Sequence, residues 1–210
     1  VGLGALFWRA ERRHATVSAL DNTVLALAEE ADFDRRLLDG SVDEMRAQAH
    51  FFAELPAVGD AISGDGQESV RQRLQQVFAA AIQHGDDIAR LSYLEVTAGA
   101  RKLVRVERNA ADRLPRVATP GELNATTIAQ ELPPALALPP GEIQLSLRHD
   151  PTRPQLRFLK PVRNTAGKVT GMLVMDRDLN PLLSQLGQPS SSPGASRHET
   201  YLTDLQGHYL

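Results

Sequence analysis

Polar and charged residues alternate with apolar ones along several stretches in the second half of the sequence, and their chemistry suits ligand binding. Arg105 and Arg157 could each hold a carboxylate through two parallel hydrogen bonds, whereas Asp176 could receive an ammonium or guanidinium group. Glu95 is a further polar residue of this kind. The full set of predicted ligand-binding residues is Tyr93, Arg105, Ser146, Arg148, Arg157, Asp176 and Asp178. The alternative is that these side chains face solvent, or that Arg and Asp pair across neighbouring strands.

No arrangement of residues in the sequence is typical of an enzyme. The absence of cysteine excludes thiol catalysis, thiolate metal sites and disulfides. The six histidines are scattered singly, without the spacing of metal ligands. Ser190–Ser192 lie in a low-complexity stretch that fixes no nucleophile, and Gly64–Gly66 lack the Lys-Ser/Thr of a phosphate loop. We therefore predict a binding domain with no catalytic residues, no metal and no cofactor.

The composition is that of an ordinary globular protein. The 210 residues suffice for one large or two small domains, and 42% of them are hydrophobic. The net charge of −3 and the pI of about 6.1 give no sign of a basic surface stripe. Nucleic acid is therefore not an expected partner.

The N-terminal third has a helical pattern. Residues 1–8 (VGLGALFW) are too few to span a bilayer, which takes about 20, but they fit the end of a transmembrane segment; a short buried helix start is the alternative. Over residues 10–39 the apolar positions form a narrow seam, made of Val17, Leu20, Val24, Leu27 and Ala31. Such a seam could pack on the same helix of a second subunit or on the chain's own sheet.

Two further helices are predicted before the strands begin. Gly40 is expected to interrupt the first helix, and Ser41 with Glu44 forms a capping-box pair that would start a second one, ending near Leu55. A third helix is predicted from about Glu68 to His84.

From Leu91 onward the apolar residues repeat with a period of two, which predicts β-strands. The predicted strands are Tyr93–Thr97, Lys102–Arg108, Gly141–His149 and the two arms of a hairpin over Pro154–Asp178. This hairpin turns at Asn164–Lys168 and is apolar on both faces, so we expect it at the centre of the sheet. The sequence thus predicts an α+β fold in which long N-terminal helices pack on a five-stranded antiparallel sheet.

The long connection over residues 109–141 is rich in proline, with one short helix predicted near Thr126–Leu132. Connections of this length are usually functional, and a ligand would lie between the loop and the sheet face. A last short helix is predicted at Pro181–Gly187.

In order and spacing, several motifs resemble those of the double Cache (PAS-like) extracytoplasmic sensor domains of bacterial transmembrane receptors. The motifs are YLEV at 93–96, GARKLVRVER at 99–108, GEIQLS at 141–146, PQLRFLKPV at 154–162, GKVTGMLV at 167–174 and YLTDLQGHYL at 201–210. The resemblance implies a long helical region over 9–90, a membrane-distal PAS-like lobe over 91–187, a linker over 188–199 and the start of a smaller second lobe at 200–210.

The resemblance also implies a function. The region would be the periplasmic or extracellular sensor of an inner membrane receptor with a histidine kinase or diguanylate cyclase output. It would bind a small ligand, a carboxylate or an amine, and signal through the N-terminal helix of a homodimer. The alternative is a ligand-free PAS-like dimerisation or structural module. The amino-acid-binding pattern of the family is not visible, so the resemblance names no particular ligand.

Overall fold

The computed structural model describes residues 2–56, 58, 67–96, 101–123, 128, 130–148 and 153–186. The helices are α1 (Gly2–Ala53), α2 (Gln67–His84), α3 (Pro120–Leu123), α4 (Leu132–Leu136) and α5 (Asn180–Leu183). The strands are β1 (Ile88–Glu95), β2 (Arg101–Arg108), β3 (Pro115–Val117), β4 (Gln144–Arg148), β5 (Gln155–Arg163) and β6 (Val169–Asp178). The predicted linker at 188–199 and second-lobe segment at 200–210 lie outside the described residues.

All six strands form one antiparallel sheet in the order β3-β2-β1-β6-β5-β4. The α+β class is confirmed, but the predicted sheet had five strands. The sixth, β3, lies in the predicted loop and pairs with the end of β2 through Val106↔Val117 and Arg108↔Pro115. Three residues are too few to show a period of two, and Pro115 opens an edge strand, where a missing N–H is tolerated.

The hairpin of β5 and β6 is confirmed, and β6 lies inside the sheet between β1 and β5. Its turn is held by Asn164, whose Oδ1 accepts hydrogen bonds from the N–H of Ala166 at 3.1 Å and of Lys168 at 3.0 Å. Gly167 takes a φ of +77°, which glycine adopts without strain. Every residue of β6 from Thr170 to Arg177 is buried, as its two apolar faces predict.

The first helix is continuous, so the predicted break at Gly40 and the capping box of Ser41 and Glu44 are wrong. α1 runs for 52 residues through all three positions. A glycine inside a helix costs only about 1 kcal/mol. Beyond it Met45 and Ala49 are buried against the sheet, and this packing outweighs that cost.

The two faces of the sheet are covered differently. The C-terminal half of α1 and all of α2 cover one face, which we call the helix-covered face. Its core includes Leu74, Phe78, Tyr93, Phe158 and Leu173. The other face is covered over part of its area by the segment 128–136.

The segment 128–136 packs through Ile128, Leu132 and Ala135 on an apolar patch made of Leu94, Leu159, Met172 and Val174. The helix predicted near Thr126–Leu132 is found later, as α4, and Thr126 itself lies outside the described residues. The shift has a simple reason: Pro133 and Pro134 occupy the first helical positions, where the N–H that proline lacks has no helical partner.

The apolar seam of α1 does not lie on the sheet where its side chains are described. Val24 is 58% exposed, Leu27 is 39% exposed and Ala31 is exposed as well. Among the helices in the described part of the chain, none combines the length and the apolar character needed to cross a membrane.

Candidate functional site

One residue from each strand lies in a continuous line across the sheet, on the face that the long helices leave free. Neighbouring strands place these residues directly opposite one another, so their side chains share one face. From one edge to the other, this charged row consists of Ser146, Arg157, Asp176, Arg90, Glu107 and Arg116.

The centre of the charged row is a buried ion pair between Arg157 on β5 and Asp176 on β6. The guanidinium donates from Nε to Oδ1 at 2.6 Å and from Nη2 to Oδ2 at 2.9 Å, which is the bidentate geometry of strong Arg–carboxylate pairs. The two side chains are 1% and 0% exposed. Burial by itself lowers the pKa of Arg157, but the hydrogen bonds and charges of Asp176 and Glu131 outweigh it and raise that pKa. Arg157 therefore stays charged in a nearly dry site.

Glu131, which immediately precedes α4, connects the segment that contains α4 to the charged row. Its Oε2 accepts a hydrogen bond from Nη1 of Arg157 at 2.9 Å, and its Oε1 accepts one from Oγ of Ser146 at 2.7 Å. The Glu131 side chain is 23% exposed, against 1% for Arg157. The contact thus lies on the solvent side of the buried pair.

The other half of the charged row centres on Glu107. Its carboxylate lies 3.4 Å from Nε of Arg90 and 3.2 Å from Nε of Arg105, and it also pairs with Arg116. Arg116 in turn holds Glu122 through Nη1 at 2.9 Å. Arg90 links the two halves, because its Nη1 is 3.4 Å from Oδ2 of the aspartate at the centre.

The network formed by the charged row and its contacts is balanced in formal charge. Its four arginines are Arg90, Arg105, Arg116 and Arg157, and its four carboxylates are Glu107, Glu122, Glu131 and Asp176. Arg148 lies beside it on the same face, two residues beyond Ser146 on β4, and is half-buried. Burial, and then the charge of Arg157, lower the pKa of Arg148. Within the described ranges Arg148 has no hydrogen-bond or ion-pair partner, so this end of the site carries surplus positive charge.

A cavity adjoins the charged row on the same face, on the side away from the segment 128–136. It has a volume of about 430 Å³, which falls in the size range of small-ligand sites, roughly 300–1,000 Å³. Arg90, Glu107 and Arg116 of the charged row form one wall, and Gln155 and Asp178, the next pair along β5 and β6, extend it. Arg153 also lines it. Such polar walls suit a charged small molecule better than an apolar one.

Most of the predicted ligand-binding residues meet at this face. Ser146, Arg157 and Asp176 are members of the charged row, Arg105 contacts it, and Arg148 and Asp178 flank it. Their roles as ligand contacts stay predictions.

Tyr93 is not brought to this site. It lies on the helix-covered face, 1% exposed, with its ring against Gly171, and Glu95 shares its side of β1. Burial, with a smaller contribution from the charge of Glu95, raises the pKa of Tyr93 to about 12. Tyr93 is therefore a core residue in this fold.

Five residues of the network were missed at the level of sequence: Arg90, Glu107, Arg116, Glu122 and Glu131. Glu122 lies in the long predicted loop. Glu107 follows Arg105 by two residues in a predicted strand, so the alternation could have identified it. Arg90 falls just before the predicted start of the first strand. Arg116 and Glu131 lie in the predicted loop, where no local pattern marks them. In the part of the chain that the structure describes, no group of three His, Asp or Glu side chains is arranged to hold a metal ion.

Comparison with known proteins rests on structure, because no protein-family model and no curated protein sequence matches the chain. The fold is similar to that of a domain from a sensory box/GGDEF family protein of Vibrio parahaemolyticus, with a TM-score of 0.62 at 15% identity over 80% of this chain. It is also similar to the extracellular domain of a histidine kinase, with a TM-score of 0.65 at 15% identity over 81% of this chain. The chain spans 64% and 62% of those two domains, slightly less than two thirds of their length.

A third similar structure is the sensory domain of the Campylobacter jejuni chemoreceptor Tlp3, with a TM-score of 0.63 at 15% identity. It is matched over 92% of this chain and 73% of its own length. Structures of the same receptor domain contain L-valine or isoleucine. The chain therefore shares the fold of these sensory domains, which agrees with the PAS-like fold that the motifs in its sequence predicted.

Proposed function

We propose that this chain is the sensor region of a bacterial transmembrane receptor, located on the periplasmic or extracellular side of the membrane. It binds a small charged ligand at the charged row and signals through α1 to a cytoplasmic histidine kinase, diguanylate cyclase or chemotaxis output. The observation that carries the proposal is the charged row across six strands, which is buried at its centre and at one end lines a cavity of about 430 Å³. The fold shared with extracellular sensory domains supports it.

The route from the site to α1 is short. Arg177 follows Asp176 on β6, and because side chains alternate along a strand it points to the helix-covered face. There it pairs with Gln48 of α1 and with Asp87 before β1. A ligand bound at the charged row would lie close to Asp176, and the residue that follows Asp176 in β6 contacts α1 directly. Small shifts of packed helices are an established way of transmitting such a change.

The exposed seam of α1 supports a homodimer. Val24 and Leu27 are large apolar side chains that α1 presents to solvent at the helical spacing of a packing seam. Two copies of α1 packed along this seam would bury them and would pair the two sensor regions.

The alternative function is a ligand-free structural or dimerisation module. One observation favours it: the two carboxylate oxygens of Asp176 are both taken by Arg157, so the centre of the charged row is already satisfied by the chain itself.

A thermal-shift screen with carboxylates, amines and amino acids separates the two functions, because a ligand that binds only the folded state raises the melting temperature. A true ligand should shift the wild type and the control Arg71→Ala, whose side chain lies on α2 in a partly exposed pair with Glu68. It should shift Arg148→Ala much less. If no compound shifts the wild type, the ligand-free module is the better description.

A further inference from the structure

We propose that Glu131 occupies, as an internal carboxylate, the subsite that receives a carboxylate group of the ligand. The inference rests on the proposed sensor function and narrows the ligand class to carboxylates, where the sequence left carboxylates and amines open. Binding would then be an exchange: the ligand carboxylate takes the place of Glu131 against Arg157 and Ser146.

The donors around Glu131 form a site for a free carboxylate. One oxygen receives Nη1 of Arg157 at 2.9 Å and the other receives Oγ of Ser146 at 2.7 Å. Both donors come from neighbouring strands of the sheet, whereas Glu131 comes from a connecting segment. Arg157 is fixed in turn by its two bonds to Asp176, so the donors stay in place when the acceptor leaves. A guanidinium has five N–H donors, and three of those of Arg157 are used in this arrangement.

Exposure makes the exchange possible from solvent. The Glu131 side chain is 23% exposed, while Arg157 beneath it is 1% exposed. A ligand carboxylate can approach Glu131 from outside without opening the Arg157–Asp176 pair. The apolar contacts of Ile128, Leu132 and Ala135 with the sheet do not depend on the Glu131 carboxylate.

Charge decides which ligand class can replace Glu131. With Glu131 in place the network holds as many carboxylates as arginines, and Arg148 is already present in excess. Removal of Glu131 without replacement would leave the network with one more arginine than carboxylates, although Arg157 keeps its pair with Asp176. A carboxylate restores the balance and an ammonium group would worsen it. Arg148, half-buried beside Arg157, adds a second attraction for an anion.

The test is chemical rescue of Glu131→Ala by acetate, which supplies the missing carboxylate. The variant should melt below the wild type, and acetate should raise its melting temperature with saturation, while acetamide and chloride at equal concentration should not. The wild type should show no saturable response, because Glu131 is tethered at the subsite and acetate has no further contacts with which to displace it. Adding Ser146→Ala to the variant should weaken acetate binding about tenfold, since one of the two hydrogen bonds to a charged group is removed.

Glu142→Ala serves as the matched control, because Glu142 is an exposed glutamate outside the network, and it should neither lose stability nor respond to acetate. A Glu131→Ala protein that melts like the wild type, or that responds equally to acetate and acetamide, overturns the proposal. If the variant does not fold in buffer alone, recovery of its circular dichroism spectrum by acetate becomes the readout, and no recovery overturns the proposal equally.

The acetate rescue tests the carboxylate subsite, and the compound screen tests the sensor function. Either result can be negative while the other is positive. Rescue by acetate with no hit in the wild-type screen would support the subsite and refute the sensor function. A screen that yields only amines would refute the carboxylate subsite and leave the sensor function standing.

Discussion

Replacement of Arg157 by methionine should destabilise the protein more than almost any other single change on this face. Asp176 is 0% exposed, and the substitution removes both of its short hydrogen bonds and the nearer of its two counter-charges, leaving Arg90 at 3.4 Å. Breaking a buried ion pair by removing one partner costs about 3–5 kcal/mol. Glu131 loses a partner as well, which places the expected cost in the upper half of that range. For a chain of this size the melting temperature should fall by about 10–20 °C.

The double variant Arg157→Met/Asp176→Leu tests the physical reason for this cost. It removes the uncompensated carboxylate, and apolar replacements of a buried pair are often close to neutral. Its cost should therefore fall well below the sum of the two single costs, with a coupling energy of about 1–3 kcal/mol. Arg46→Met is the matched control, because Arg46 pairs with Asp43 while the two side chains are 43% and 70% exposed. It should cost less than about 1 kcal/mol.

Urea unfolding at pH 7, followed by circular dichroism, measures the free energy of unfolding of the wild type and of the four variants, Arg157→Met, Asp176→Leu, the double variant and Arg46→Met. If Arg157→Met and Arg46→Met lower the free energy of unfolding by equal, small amounts, the burial of the central pair is refuted. Strict additivity of Arg157→Met and Asp176→Leu would refute their direct interaction.

Two further predictions concern the helix-covered face and the seam of α1. Burial raises the pKa of Tyr93 to about 12, so above pH 10 the unfolded chain loses this proton first, and stability should decline between pH 10 and 12 by up to about 3 kcal/mol. Tyr93→Phe should lack this part of the decline when urea midpoints at pH 9 and 11.5 are compared, and an equal decline in both proteins would contradict the assignment. For the seam, Val24→Glu/Leu27→Glu should convert a dimer into a monomer in sedimentation equilibrium, because both side chains are exposed in the single chain. A wild type that is already monomeric at high concentration would count against the dimer.

The central hairpin could be predicted from sequence because its signals are local. Asn164 and Gly167 mark the turn, and the flanking residues alternate without interruption over both strands. Its place inside the sheet followed from two apolar faces, and β6 is indeed buried along most of its length.

The errors in the fold arose where packing outweighed local preference. Gly40 looked like a helix end, but the burial of Met45 beyond it keeps α1 intact. Pro133 and Pro134 looked like loop residues, yet they begin α4. Local propensity is a weak prior in such places, because tertiary contacts of a few kcal/mol override it.

Part of the site was predictable, because the turn of the β5–β6 hairpin sets which residues of its two strands face each other. Arg157 and Asp176 lie on opposite arms of a hairpin whose turn was identified correctly, and the alternative that Arg and Asp pair across strands describes what they do. Tyr93 lies on the other face, because side chains alternate along β1 and the charged row takes Arg90 from this strand, three residues before Tyr93. Glu131 reaches the charged row only through the tertiary path of a proline-rich connection.

The position of the charged row along β5 and β6 bears on the choice between sensor and structural module. Leu159 and Val174, one pair further along, are apolar and lie under the segment 128–136. Gln155 and Asp178, one pair in the other direction, line the cavity. The buried Arg157–Asp176 pair thus stands at the boundary between a dry cover and an open space. If this face served only the stability of the fold, apolar residues in place of Arg157 and Asp176 would suffice, since a buried ion pair adds little stability over apolar packing. Charged residues next to a cavity therefore favour a ligand-binding function over a purely structural one.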